Sequence, residues 1–314
     1  MRHTTGSAAL AALAGVVVLA GCSTAEHSAA GRPAVSAPSG TATTAEPPAG
    51  DDPRFTARLP IAEYSFTDQQ TSAIDAAVSV LTDRCMRRYG MTFRAPGQPP
   101  PLARESADRR YGLSSAFDAA HYGYHLTPDE ESAQAPADPV RSGTAQYLVL
   151  FGRKDARQPD ATTAVSYHGR AVPVGGCRGE AATAMGAYDD PSASQTASDI
   201  ASGSYAASAK DPAVRKATGA WSACMRAKGF DYPTPMDALG DNAFLSGAAP
   251  SARELATAKA DMACKDSTGL LDTWFAAESR IQRGMIASRQ ADLTRLKSAH
   301  AAKVAAAEKI AQGT

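Results

Sequence analysis

The sequence predicts a mainly α-helical protein with minor β structure, built as two pseudo-repeated helical units, each held by a disulfide, and ending in a long C-terminal helix. Three observations predict this. Apolar residues recur at three- and four-residue spacing in several long segments, whereas alternating apolar and polar stretches are few and short. The helical segments carry recognisable start signals. Finally, Cys85-Met86-Arg87, Gly90, Phe93 and Pro96 are matched at identical offsets by Cys224-Met225-Arg226, Gly229, Tyr232 and Pro235, which reads as an internal duplication.

Thr67-Asp68-Gln69-Gln70 has the form of a capping box, and Ile74, Val78, Leu81, Cys85 and Tyr89 follow at helical spacing, so a helix is expected over about 68–89. Cys85 falls on its apolar stripe. Asp211-Pro212 supplies a cap and an N1 proline for a second helix that carries Val214, Ala217, Trp221 and Cys224 inward and stops at Gly229. Ser251-Ala252-Arg253-Glu254 starts a third, with Leu255, Ala258 and Met262 inward, which Thr268-Gly269 breaks. From about 270 to 311 the chain reads as one helix, roughly 60 Å long at 1.5 Å per residue. Leu271, Trp274, Ile281, Met285, Leu293, Leu296 and Val304 mark a thin apolar stripe on it, so its distal half is expected to project as a partner-binding arm or to fray as a tail. Strand signals are confined to 92–94 and 166–174, Gly175-Gly176 reads as a turn presenting Cys177, and 96–101 and 128–139 read as surface loops.

Setting Cys22 aside leaves Cys85, Cys177, Cys224 and Cys264, an even set that reads as two disulfides. Duplication favours Cys85 with Cys177 and Cys224 with Cys264, ahead of the two other connectivities. Loop closure by such bridges contributes roughly 4–5 kcal/mol each. A zinc site made from these thiolates lacks any Cys-x-x-Cys pair. With 32 basic and 32 acidic residues and no block of like charge, the chain has no electrostatic basis for binding nucleic acid.

Candidate chemistry is sparse. Arg110, Tyr111, Tyr122, Tyr124 and His125 gather the residue types favoured at interfaces, and read either as a ligand or partner contact or as a satisfied local cluster clamped by turns. Asp118, His121 and His125 would share a helix face as weak metal-ligand candidates, although Gly123 interrupts the segment. No Gly-x-Ser-x-Gly elbow, Ser-x-x-Lys pair or phosphate-binding glycine loop is present, so no catalytic residue and no cofactor are expected.

The N-terminus has its own logic. Arg2 and His3 form a basic start, residues 8–20 an apolar run of signal-peptide length, and Leu19-Ala20-Gly21-Cys22 closes it. These four residues resemble the lipobox of bacterial lipoproteins. The resemblance implies removal of residues 1–21 and lipidation of Cys22 with acyl chains of the palmitoyl class, two of which hold a protein stably at a membrane. A secreted protein whose signal merely ends near a cysteine is the competing reading. Residues 22–53, rich in Ser, Thr, Pro and Ala and without aromatics, read as a disordered tether spanning roughly 30 Å. The rest, 54–314, reads as the disulfide-stabilised body, with pseudo-repeats at about 64–190 and 206–270.

Arg110-Tyr111-Gly112-Leu113, Tyr122-Gly123-Tyr124-His125, Gly176-Cys177, Cys224-Met225 with Gly229, and Cys264 through Thr268-Gly269-Leu270 to Asp272-Thr273-Trp274-Phe275 resemble secreted lipoproteins of actinobacteria without an assigned activity. That resemblance implies an extracytoplasmic address at the outer face of the cell membrane and supplies no catalytic residues. The expected role is non-enzymatic binding of an envelope protein or wall polymer. A small-ligand-binding or sensing lipoprotein is the alternative, and a cryptic extracytoplasmic hydrolase the third.

Overall fold

A computed structural model describes residues 58–94, 109–128, 130–131, 140–157 and 165–313. The leader, Cys22, the tether, the loop at 96–101 and most of 128–139 lie outside the described residues. The described chain is mainly helical, and among its residues no helix is long and apolar enough to cross a membrane.

Helix α1 (Asp68–Arg87) starts at the expected capping box, with Thr67 Oγ1 accepting from the Gln70 N–H at 3.2 Å and Gln70 Oε1 accepting from the Thr67 N–H at 2.9 Å. Two short helices follow, α2 (Ala116–His121) and α3 (Ala145–Phe151). The 166–174 strand signal resolves into a hairpin of β1 (Val165–Tyr167) and β2 (Arg170–Val172), paired antiparallel with Val165 opposite Val172. His168 and Gly169 turn it with φ of 48° and 75°, as a two-residue hairpin turn of primed type requires. Residues 92–94 form no strand, contrary to expectation, because the Phe93 N–H is taken by the Asp83 carboxylate at 2.9 Å instead of a neighbouring chain.

Helix α4 (Gly176–Gly186) carries Cys177 at its start, and α5 (Pro191–Ser208) follows, capped by Asp190. Asp211 and Pro212 open α6 (Pro212–Ala227) as expected. Two short turns, α7 (Pro235–Leu239) and α8 (Asn242–Leu245), lead to α9 (Ala252–Thr268), which begins at the Ser251/Glu254 capping box and stops at Gly269 in the left-handed region. The C-terminal segment is helical as α10 (Leu270–Ser288) and α11 (Gln290–Ala311), with one interruption at Arg289, where φ −128° and ψ 27° leave the helical region. Across that bend the two halves share one neighbour and differ in the other. Helix α10 lies against α5 and α6, while α11 lies against α1 and α5.

The projecting or fraying arm is therefore corrected. Leu293, Leu296 and Ala307 are buried, His300 stacks on Phe66 at 3.8 Å between ring centroids, and Lys303 pairs with Asp189 at 2.7 Å. Few large apolar groups of its own suffice here, because Ala307 and Ile310 pack with Ile74, Ala77, Val78 and Leu81 of α1, and Leu293 and Leu296 with Ile200 of α5.

Both disulfides have the pairing that the duplication predicts: Cys85 joins Cys177 and Cys224 joins Cys264. Each sits in its own apolar cluster. The first gathers Met86, Val149, Leu150 and Val172; the second gathers Trp221, Met225, Met262, Leu270 and Trp274. The units are nevertheless not self-contained, since Tyr111, Leu113, Ala119 and Tyr124, which the sequence places in the first pseudo-repeat, are buried in the second cluster.

The repeat extends to hydrogen bonds. Met86 O accepts from the N–H groups of Tyr89 and Met91, and Met225 O from those of Lys228 and Phe230. Arg87 O accepts from Gly90, and Arg226 O from Gly229, each at 3.0 Å, with both glycines at positive φ.

Candidate functional site

The densest polar constellation of the described residues is where 109–125 meets α9 and α10. Three acidic side chains are buried there: Glu254, Asp261 and Glu278. Burying a carboxylate costs several kcal/mol unless donors surround it. Each has its donors.

Glu278 receives Arg110 through Nε at 3.0 and 3.1 Å, the Tyr111 hydroxyl at 2.7 Å, the Ser204 hydroxyl at 2.8 Å and the Gln282 amide at 3.2 Å. The forked Arg110 contact is the bidentate geometry that makes arginine the favoured partner of a buried carboxylate. Asp261 receives the Trp221 indole N–H at 2.9 Å, the Tyr124 hydroxyl at 3.3 Å and the Lys265 ammonium at 3.0 Å, and Lys265 also donates to Leu113 O at 2.7 Å. Glu254 receives the Tyr124 N–H at 2.9 Å and His125 Nδ1 at 2.8 Å, while His125 Nε2 meets Gly247 O at 2.9 Å.

Two glycines explain why the motif reads Tyr-Gly-Leu and Tyr-Gly-Tyr. At Gly112, φ +85°, an added Cβ would stand 2.9 Å from Lys265 Nζ; at Gly123, φ +61°, it would stand 2.6 Å from Glu254 Oε1. Backbone must come that close for Leu113 O and the Tyr124 N–H to reach the buried charges. Arg109, itself at φ 57°, ties the two ends of the segment by donating to Tyr124 O at 3.2 Å and His125 O at 2.6 Å and pairing with Glu130 at 2.9 Å.

Protonation follows from this packing. Burial, reinforced by the Glu278 carboxylate, pushes the Tyr111 hydroxyl far above its ordinary value, and burial with Asp261 does the same to Tyr124. Burial likewise pushes the Asp261 carboxyl up and the Lys265 ammonium down, and each partner's charge opposes the other's shift. The Gly247 carbonyl, and then Glu254, raise His125 above its ordinary value.

For Arg110, Tyr111, Tyr124 and His125 these contacts are those of the second of the two readings, a satisfied local cluster. Tyr111 is 1% exposed and Tyr124 2% exposed, and their hydroxyls are spent inside the core. Of the five, Tyr122 alone has no side-chain hydrogen bond among the described residues; its ring lies edge-on to Phe117. The metal set is corrected. Helix α2 ends at His121, so His125 is not carried on the same face, and it faces Glu254; His121 Nδ1 meets Phe117 O at 2.8 Å. Among the described residues no group of His, Cys, Asp or Glu could hold a metal ion.

Sequence reasoning missed Glu278, Asp261, Lys265, Glu254, Ser204 and Gln282. Asp261 and Lys265 lie four apart, a spacing that on most helices marks a solvated pair. The available signal was position: Asp261 and Lys265 flank Met262 and Cys264, which the apolar stripe already turned inward.

The chain matches no protein-family model, no curated protein and no solved structure.

Proposed function

We propose that this chain is a lipid-anchored protein of the outer face of a bacterial cell membrane, whose helical body binds a membrane or cell-wall partner without catalysing a reaction. The observation that carries the proposal is the cysteine account. Five cysteines are present, two disulfides within the body use four, and the fifth is Cys22 at the end of the lipobox-like Leu19-Ala20-Gly21. Disulfides persist in oxidising compartments outside the cytoplasm, which agrees with that address. A non-enzymatic role is supported by the fate of the buried ionisable groups, because Glu254, Asp261, Glu278 and Lys265 each have hydrogen bonds to structural partners.

The test is to produce the full chain in a bacterium that lipidates its exported proteins, then determine the mass of its N-terminal peptide. Expected is an N-terminal Cys22 bearing a diacylglyceryl thioether, with the protein in the membrane fraction and a Cys22→Ser variant released from it. A wild-type chain that carries no lipid on Cys22 and collects in the medium would overturn the proposal. Cross-linking of the native protein in its membrane then identifies what the body touches.

A further inference from the structure

The two copies of the Cys-Met-Arg turn are each closed by a side chain two residues before the cysteine. In the first, Asp83 accepts from the Phe93 N–H at 2.9 Å and from Arg87 Nε at 2.7 Å. In the second, Ser222 donates to Tyr232 O at 2.7 Å and accepts from Arg226 at 2.9 Å. The offsets are the same, so the two hooks are copies of one device.

Their surroundings have diverged. In the second copy the Tyr232 hydroxyl is tied to Asp241 at 2.7 Å, and Arg226 faces Asp231. In the first copy Thr92 stands where Asp231 does, Arg84 where Ala223 does and Arg94 where Pro233 does. What results is an open cleft of about 590 Å³, with Val80 and Phe93 on its apolar side and Arg84, Arg87 and Arg94 around it. Three arginines line the cleft with one acidic residue, Asp83, whose two oxygens are occupied by the Phe93 N–H and by Arg87 Nε. Neither Arg84 nor Arg94 forms a hydrogen bond or ion pair among the described residues, and Arg87, 69% exposed, commits only its Nε.

We propose that this cleft binds a phosphate-ester anion, held by Arg84, Arg87 and Arg94 with its organic part against Phe93. Arginine forks match phosphate oxygens in pairs, and an apolar wall beside them lowers the local dielectric in which those contacts act. Asp83 serves as the positioning residue. Its first oxygen folds 91–94 back over α1, bringing Phe93 and Arg94 to the cleft, and its second turns Arg87. The same chemistry is offered by the headgroups of anionic phospholipids and by phosphodiester wall polymers. This inference names the partner's chemistry within the envelope reading and rests on that reading for the source of the ligand.

The experiment uses the full chain carrying Cys22→Ser, so that no acyl chain drives vesicle association and failure of lipid anchoring leaves the cleft measurable. Glycerol 3-phosphate is titrated calorimetrically, and sedimentation is compared for phosphatidylcholine vesicles with and without phosphatidylglycerol. Expected is binding that the Arg84→Gln/Arg94→Gln variant weakens by roughly tenfold for each arginine lost. The equivalent charge loss in the second copy, Arg226→Gln/Lys228→Gln, should leave binding unchanged. Response to glycerol 3-phosphate alone assigns a soluble or wall phosphate, and response to phosphatidylglycerol vesicles as well assigns the lipid. Should the double variant lose its helical circular dichroism, Arg84→Glu, at an exposed position, replaces it and should abolish binding. No binding of either probe, binding indifferent to the cleft variants, or equal loss in the second-copy control would each overturn the proposal.

Discussion

Around Met86 and around Met225 the chain makes the same backbone hydrogen bonds at the same offsets, yet one turn is tied to an acid and the other to a hydroxyl. The copy at Met225 is wrapped by α7, α8 and the 109–125 segment and sits beside buried charges. The copy at Met86 keeps an open side where arginines collect. A duplicated turn thus fixes where a helix ends and how the next residues leave it, while side chains outside its hydrogen bonds are left to specialise.

The largest effects that sharpen this contrast come from the disulfides. Loop-closure scaling gives about 4–5 kcal/mol for removing Cys85–Cys177, which spans 92 residues, and about 4 kcal/mol for Cys224–Cys264, which spans 40. Paired Cys→Ala variants compared by denaturant unfolding check both values, and a reversed order would break the contrast as drawn from chain length. Next is Lys265→Met, which strands Asp261 beside apolar groups in the second cluster. It should cost about 3 kcal/mol, at the low end for a broken buried pair because Trp221 and Tyr124 still donate to Asp261. Among the described residues the first cluster has no buried charged side chain.

Smaller still are the hooks, where Asp83→Ala and Ser222→Ala should each cost about 1–2 kcal/mol in thermal or denaturant unfolding. They differ in pH dependence. The Phe93 N–H, then Arg87, holds the Asp83 carboxyl below its ordinary value of 3.8. Its contribution is therefore complete above pH 3.8 and fades as pH falls through the lower folded value, whereas Ser222 has no such titration. Stability of wild type relative to Asp83→Asn should converge in acid; that of wild type relative to Ser222→Ala should not change there. His125 behaves in the opposite sense. Being raised from 6.5, it stabilises fully below that pH and progressively less as pH rises through its folded value, so His125→Gln should destabilise more at pH 5 than at pH 9. Equal losses at the two pH values would remove the charge from that contact.

Legibility of the fold depended on where local chemistry decides structure. The capping boxes at Thr67 and Ser251 and the Asp211-Pro212 start act within one turn, and all three helices begin where expected. The cysteine pairing was readable because the duplication left an offset to follow. Helix α5 was not anticipated, because its buried face is carried by Ala193, Ser204 and Ser208 with only Ile200 as a large apolar group. Its serines are buried by hydrogen bonds to Glu278 and Trp274, partners more than sixty residues away. The bend at Arg289 has no adjacent proline or glycine to announce it, and beyond it α11 packs on α1. The Arg110, Tyr111 and Tyr124 cluster was legible as a constellation, but its charged partners lie on α9 and α10, and only tertiary structure turns an interface-like composition into a core.

The first disulfide closes a covalent ring around residues 85 to 177, and the part of that ring at 111–124 is buried beside Trp221 and Trp274. A ribosome delivers the ring before it delivers those tryptophans. Tyr111 and Tyr124 therefore precede their partners in synthesis, Trp274 standing 150 residues after Tyr124 and 97 after Cys177. In the folded chain the bridge of one unit thus holds, within its own ring, a segment around which the core of the other is built.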